Sequence, residues 1–331
     1  MDDSIDFQIF MIRAIVAESF GGPEVLQIRS LPDLTPSPDQ VLVRLHAIGV
    51  NPVDTYIRSG AYGKLPELPY TPGFDGAGIV EACGANVRGL RRGASVFVSG
   101  SLTGTYAEAC LCLPSQVHPL PPGASAEMGA CLGIPYGTAG YALFHRAKVR
   151  RGQSVLIHGA TGGVGTAAVQ LAKRAGLRVL GTYGSESGRS LLLELGVDAT
   201  FNHHQPEYES EILEFTQGSG VDLILEMAAH VNLGRDLTLL GKGGVICVIG
   251  SRGLVQIQPR ELMVRDADIR GLIWFNAPKG VVGKVFGDFY SALADGSIRP
   301  VIRRSFPLSS AAEAHELQMT RGSLGKLVLI P

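Results

Sequence analysis

Residues 154–165 read Ser-Val-Leu-Ile-His-Gly-Ala-Thr-Gly-Gly-Val-Gly, and the reading of this stretch decides the fold. A short apolar run, Val155, Leu156 and Ile157, ends in a glycine cluster, and an alanine-rich stretch with apolar residues at helical spacing follows over residues 166–175. Strand, glycine turn and helix form the context that a dinucleotide fingerprint requires. A phosphate sits at the start of such a helix, held by backbone N–H groups and the positive end of the helix dipole. Any Cβ at Gly162 or Gly163 would hold a pyrophosphate away from those donors. Counted back from Gly165, the G-x-G-x-x-G positions are Ala160, Gly162 and Gly165, so alanine replaces the first glycine. A tight turn with no ligand would read much the same in isolation. The flanking strand and helix, a second strand at residues 178–183 and the alternation beyond it decide for a nicotinamide dinucleotide site.

That alternation is regular. Strands read at residues 155–158, 178–183, 200–202, 221–227, 244–250 and 269–274, with helices at 163–175, 188–195, 208–216 and 232–240. Six strands with intervening helices predict a doubly wound parallel sheet. Upstream, from Ile12 to about Val117, the pattern is β-rich and punctuated by proline and glycine. A helix-like stretch over 125–147, interrupted by Pro135, joins the two regions. After Trp274, a helix at 281–295 and a final strand at 325–330 are expected to return to the first domain.

The tip of the second strand speaks to the cofactor. An NAD-binding unit places an acidic residue about 20 positions after the glycine turn, where it accepts hydrogen bonds from the ribose. Here the strand runs out in Gly181-Thr-Tyr-Gly-Ser185 with no carboxylate, although Glu186 follows. An acid would repel a 2′-phosphate, so its absence favours NADPH over NADH. Arg252, His203 and the backbone at Gly184 are candidates to hold that phosphate, and each also reads as an ordinary loop or surface residue.

At 331 residues the chain is long for one core, so two domains are expected. Charged residues make up 18%, hydrophobic residues 45%, and the net charge is −1. This describes a globular protein and gives no case for an electrostatically driven nucleic-acid binder. No apolar stretch approaches a membrane span. The acidic start, Met1-Asp-Asp-Ser-Ile-Asp6, lacks the layout of a signal peptide, and five cysteines without a C-x-x-C pair suit reduced thiols in the cytoplasm.

The chain also resembles a known family. Phe20-Gly-Gly-Pro-Glu-Val-Leu26, Gly49-Val-Asn-Pro-Val-Asp-Thr-Tyr-Ile-Arg-Ser-Gly60, Leu68-Pro-Tyr-Thr-Pro-Gly73, Gly133-Ile-Pro-Tyr136, His158-Gly-Ala-Thr-Gly-Gly-Val-Gly165, Gly250-Ser-Arg-Gly253 and Ala311-Ala-Glu-Ala-His315 are similar to the zinc-free, zeta-crystallin branch of the medium-chain dehydrogenase/reductases. That resemblance implies a β-rich GroES-like catalytic domain (residues 1–131 and 276–331) and a Rossmann domain (132–275). It implies an NADPH:quinone oxidoreductase that acts as a homodimer or homotetramer. Zinc-dependent relatives hold their metal through Cys, His and Cys, where this chain has Asn51, Phe74 and Pro135, which cannot assemble a zinc ligand set. No metal is therefore expected. Without a Lewis acid the site suits an acceptor that is already electron-poor, such as a quinone. An alkenal or enone is the nearest alternative, but its carbanion needs a proton donor, and within residues 49–60 only Tyr56 offers one, which favours the quinone.

The resemblance further implies which residues do the work. Asn51 and Tyr56 would stand beside the acceptor as hydrogen-bond donors, with Tyr56 also touching the cofactor. Asn51 also reads as a plain turn residue before Pro52. Thr161, Gly162, Gly163 and Val164 would hold the pyrophosphate, Gly184 and His203 would lie near the adenosine phosphate, and Asn232 near the ribose. Ile249, Gly250, Ser251 and Arg252, with Leu272, Ile273 and Trp274, would line the nicotinamide side. Trp274 places an indole where the family has a smaller aliphatic residue, which suggests a reshaped pocket. The family's lens-structural and AU-rich RNA-binding roles find no basic, aromatic surface in this sequence.

Overall fold

The computed structural model describes residues 11–320, 322 and 324–331. Residues 1–10 lie outside them. The chain divides into two compact units. One holds residues 1–133, 304–320 and 327–331; the other holds 134–303 and 321–326.

In the first unit, β1 (Met11–Val16) and β2 (Gln27–Pro32) pair antiparallel. Then come β3 (Val41–Val50), α1 (Pro52–Arg58), β4 (Asp75–Cys83), β5 (Ser95–Ser99), β6 (Ala109–Cys112) and β7 (Val117–Pro119). Proline at the first position of α1 supplies a fixed φ and lacks only an N–H that would be unpaired there. β3 buries almost every side chain, as a strand covered on both faces must.

The second unit begins within the stretch around Pro135, where the chain stays helical through wide π-type turns instead of breaking. There follow β8 (Ser154–Ile157), α2 (Gly163–Arg174), β9 (Arg178–Tyr183), α3 (Glu186–Glu194), β10 (Ala199–Asn202), α4 (Tyr208–Phe215), β11 (Val221–Glu226), α5 (Ala229–Leu239), β12 (Leu240–Val248), α6 (Pro259–Arg265), β13 (Asp268–Gly271) and α7 (Lys279–Ala294). All six strands are parallel, in the order β10-β9-β8-β11-β12-β13. The order reverses beside β8, the switch point at which doubly wound sheets bind ligands. Leu156, Leu180, Ile224 and Ile246 form a fully buried apolar layer across the sheet. Each such side chain contributes about 2 kcal/mol by leaving water.

Finally β14 (Ile302–Pro307), α8 (Ala311–Met319) and β15 (Lys326–Ile330) complete the seven-stranded sheet β14-β15-β3-β4-β5-β7, with β6 on β3. The expected return to the first domain at residue 276 comes later, at 304. The reason is aromatic packing. On α7, Phe286 meets Trp274, Phe289 meets Tyr136, and Val285 lies against Gly140, all within the second unit.

Candidate active site

The glycine turn between β8 and α2 uses its glycines for different purposes. Gly159 has φ +61°, the left-handed conformation that glycine adopts without strain. A Cβ at Gly165 would stand 2.2 Å from the Gly159 carbonyl oxygen, so this glycine lets helix and strand pack closely. At Gly162 the nearest neighbour of a Cβ would be 3.5 Å away, and at Gly163 it would be 3.7 Å away. The backbone therefore lies open where a pyrophosphate must approach. Gly162 is the N-cap and offers no side-chain acceptor, so the first-turn N–H groups suit an anionic ligand. The Gly325 N–H donates to the Thr161 oxygen at 2.7 Å and braces the turn from the side.

At the tip of β9, Gly184 leaves room for His203: a Cβ there would fall 2.9 Å from the imidazole. Burial, then the neighbouring His204 and His158, push His203 below the usual histidine range. The Ser185 hydroxyl accepts from the Gly188 N–H and caps α3. Glu186 turns outward and pairs with Arg189 at 3.2 Å, so no carboxylate is turned back to the strand tip.

The nicotinamide-side loops close against the end of β11. The N–H groups of Ile249 and Gly250 donate to the Glu226 carbonyl at 2.9 and 3.2 Å, and a Cβ at Gly250 would strike the Met227 oxygen at 2.3 Å. The Arg252 N–H donates to His230 Nδ1, next to Ser251. The Leu272 N–H donates to the Val248 oxygen, and Ile273 is half exposed. Trp274 corrects an expectation. Its indole does not reshape an open pocket but is 7% exposed and packs among Gly137, Tyr141 and Phe286.

Asn232 donates its amide to both oxygens of Glu226, at 3.2 and 3.4 Å. Glu226 belongs to a buried cluster that the sequence did not reveal. His158 Nε2 lies 2.9 Å from Asp236 Oδ1 and 3.8 Å from Glu226 Oε2. Burial would lower His158, but Asp236 and Glu226 outweigh it and raise the imidazole above its ordinary range. Among the described residues this is the one group of three that could offer a metal three ligand atoms. The 2.9 Å separation is an ion-pair distance, but neither atom has a partner in hydrogen-bond geometry.

In the first unit, Asn51 is buried at the start of α1. Its N–H donates to Asp54 at 2.8 Å and its side-chain amide donates to Asp75 at 3.0 Å. The Tyr106 hydroxyl donates to Asp54 at 3.1 Å and meets His315 Nε2 at 2.9 Å. Burial, then the Asp54 charge, push Tyr106 well above its ordinary range, and burial drops His315 to about 3. Asn51 thus both caps a helix and joins a buried polar set. Tyr56 stands half-buried on α1. Asp75 and Tyr106 escaped the sequence reading because nothing in their local sequence marks them as partners.

Residues 163–290 match the family model of the zinc-binding dehydrogenases, and residues 37–150 match the alcohol dehydrogenase GroES-like domain. The quinone oxidoreductase of Homo sapiens is 44% identical over 324 residues, covering 97% of this chain and 98% of its own length. The chain belongs to the quinone oxidoreductase family. The solved quinone oxidoreductase of Escherichia coli complexed with NADPH superposes with a TM-score of 0.87 at 28% identity, over 96% of this chain and 100% of that one. An NAD-dependent alcohol dehydrogenase superposes with a TM-score of 0.89 at 30% identity, over 96% and 99%. The expected fold class, a Rossmann sheet with a GroES-like domain, is borne out.

Proposed function

We propose that this protein is an NADPH-dependent quinone oxidoreductase working without a metal ion. One combination carries the reading: full-length likeness to a quinone oxidoreductase, joined to an open glycine cradle beside a strand tip free of carboxylate. When bound, NADPH supplies a hydride. The chain's residues bind and orient. Thr161, Gly162, Gly163 and Val164 hold the pyrophosphate through N–H groups, Gly184 and His203 receive the adenosine phosphate, and Asn232 the ribose. Ile249 to Arg252 and Leu272 to Trp274 bound the nicotinamide side, the last through its backbone because its indole is packed away. Asn51 and Tyr56 serve the acceptor as polar contacts. A quinone spreads incoming charge over its own conjugated system, so it needs placement more than a Lewis acid.

The exposed apolar side chains Leu254, Met263, Val264, Ile273 and Phe275 flank the edge strand β13 and support a homodimer or homotetramer. All five cysteines are free, in keeping with a cytoplasmic location, and no helix among the described residues is long and apolar enough to cross a membrane.

The test is NADPH oxidation with a quinone, before and after exhaustive treatment with a chelator. The expected result is an unchanged rate. Loss of activity that added zinc restores contradicts the metal-free reading.

A further inference from the structure

His158 follows β8, Glu226 ends β11 and Asp236 lies on α5, and all three side chains are buried. Each is tied to a segment assigned above to the dinucleotide. The Thr182 hydroxyl accepts from the Gly159 N–H at 3.1 Å and lies 3.5 Å from His158 Nδ1, linking the imidazole to the glycine turn. The Glu226 carboxylate accepts from the Ala228 N–H and from Asn232, while its carbonyl accepts from Ile249 and Gly250. Among the described residues, neither oxygen of Asp236 receives a hydrogen bond and His158 Nε2 makes none, although all three atoms are buried. A buried carboxylate oxygen without a donor is costly unless a proton comes with it. Glu226 belongs to the same buried cluster, its ligand atoms within 4.8 Å of those of Asp236, so two carboxyl groups stand close together out of water.

We propose that the His158–Asp236–Glu226 triad positions Asn232 and the glycine turn for the dinucleotide, and that the protonation of Glu226 sets how tightly the dinucleotide is held. The inference rests on the cofactor reading above and assigns positioning, not catalytic, roles.

The sign follows from the charges. Burial pushes Glu226 up, His158 pulls it back and Asp236 pushes it again, to about 7. Below that pH, Glu226 is neutral. Above it, Glu226 adds a negative charge in the support of an anion site. The surrounding groups are Thr182 on β9, His203 after β10, Tyr208 on α4 and Arg235 on α5. Burial lowers His203 and raises Tyr208 to about 12, so both are neutral near pH 7. Neither His203 nor Tyr208 supplies a competing titration at about pH 7 to 8.5.

The experiment is titration of the full chain with NADPH, followed by cofactor fluorescence, from pH 6 to 8.5. Wild type is compared with Glu226→Gln and Glu226→Ala. Comparison at each pH cancels the ionisation of the ligand itself. Glu226→Gln keeps an acceptor for Ala228 and Asn232 and a donor for Asp236, so it mimics the protonated state. The wild-type Kd is expected to match that of Glu226→Gln at pH 6 and to be about fivefold weaker at pH 8.5. Glu226→Ala is expected to bind about tenfold more weakly throughout. A wild-type to Glu226→Gln ratio that stays constant with pH overturns the inference, even if Glu226→Ala fails to fold. Failure of wild type to bind NADPH at any pH overturns the cofactor reading itself, and this inference with it.

Discussion

A Cβ placed on Gly165 would lie 2.2 Å from the carbonyl oxygen of Gly159, whereas one on Gly163, two residues earlier, would touch nothing closer than 3.7 Å. The same residue type therefore serves packing at one position and ligand access at the other. Gly165→Ala is expected to destabilise the protein by about 3 kcal/mol, since backbone must move to admit the methyl group. Gly163→Ala, in the first turn of α2, is expected to leave Tm unchanged or slightly higher while weakening NADPH binding at least tenfold. Thermal melts and cofactor titrations of the two variants separate these effects. Equal behaviour would remove the distinction.

Cofactor preference turns on the tip of β9. Asp caps a helix as well as Ser does, so Ser185→Asp should keep α3 intact while adding a negative charge near the expected 2′-phosphate site. The ratio of kcat/KM for NADPH over NADH is expected to fall about tenfold. An unchanged ratio with an unchanged Tm would place the phosphate elsewhere.

Asn51 and Tyr56 predict different mutational signatures. Asn51→Ala removes the amide that donates to the buried Asp75 and should lower both stability, by about 2 kcal/mol, and activity. Tyr56→Phe should lower kcat/KM for the quinone several-fold and leave Tm in place. Loss of Tm in Tyr56→Phe, with activity per folded molecule intact, would make the tyrosine a packing residue.

Acid stability has a direction. His118 and His315 are held near 4 and 3 by burial and gain protons on unfolding, so both favour the unfolded state as pH falls below 6.5. Glu226, held near 7, acts oppositely between 4.5 and 7, because it loses its proton on unfolding. Over pH 6.5 to 5 these three groups leave one extra proton in the unfolded chain, a loss of about 1.4 kcal/mol per pH unit, and His203, also lowered, adds to it. His118→Gln should make that slope shallower. Calorimetry at pH 6.5 and 5 checks it.

The sheet and its ligand-binding end were legible because period, glycine spacing and strand–helix alternation are local signals. The start of β12 was not: it forms at Leu240, ahead of the expected residue 244, where a register shift against β11 breaks the alternation. Nor was the place of α7, whose apolar face fits either unit until Tyr136 and Trp274 claim it. The triad was least visible. His158 and Glu226 are 68 positions apart, and each looks like an isolated polar residue at a strand end until the parallel sheet brings β8 beside β11.

The central claim is quinone reduction with NADPH, and steady-state turnover tests it most directly. NADPH oxidation is measured against a panel of quinones and a panel of enals and enones, with NADH as the parallel donor. The account predicts turnover of quinones with NADPH, at a kcat/KM well above that with NADH. NADPH oxidation with enals and with none of the quinones would contradict it.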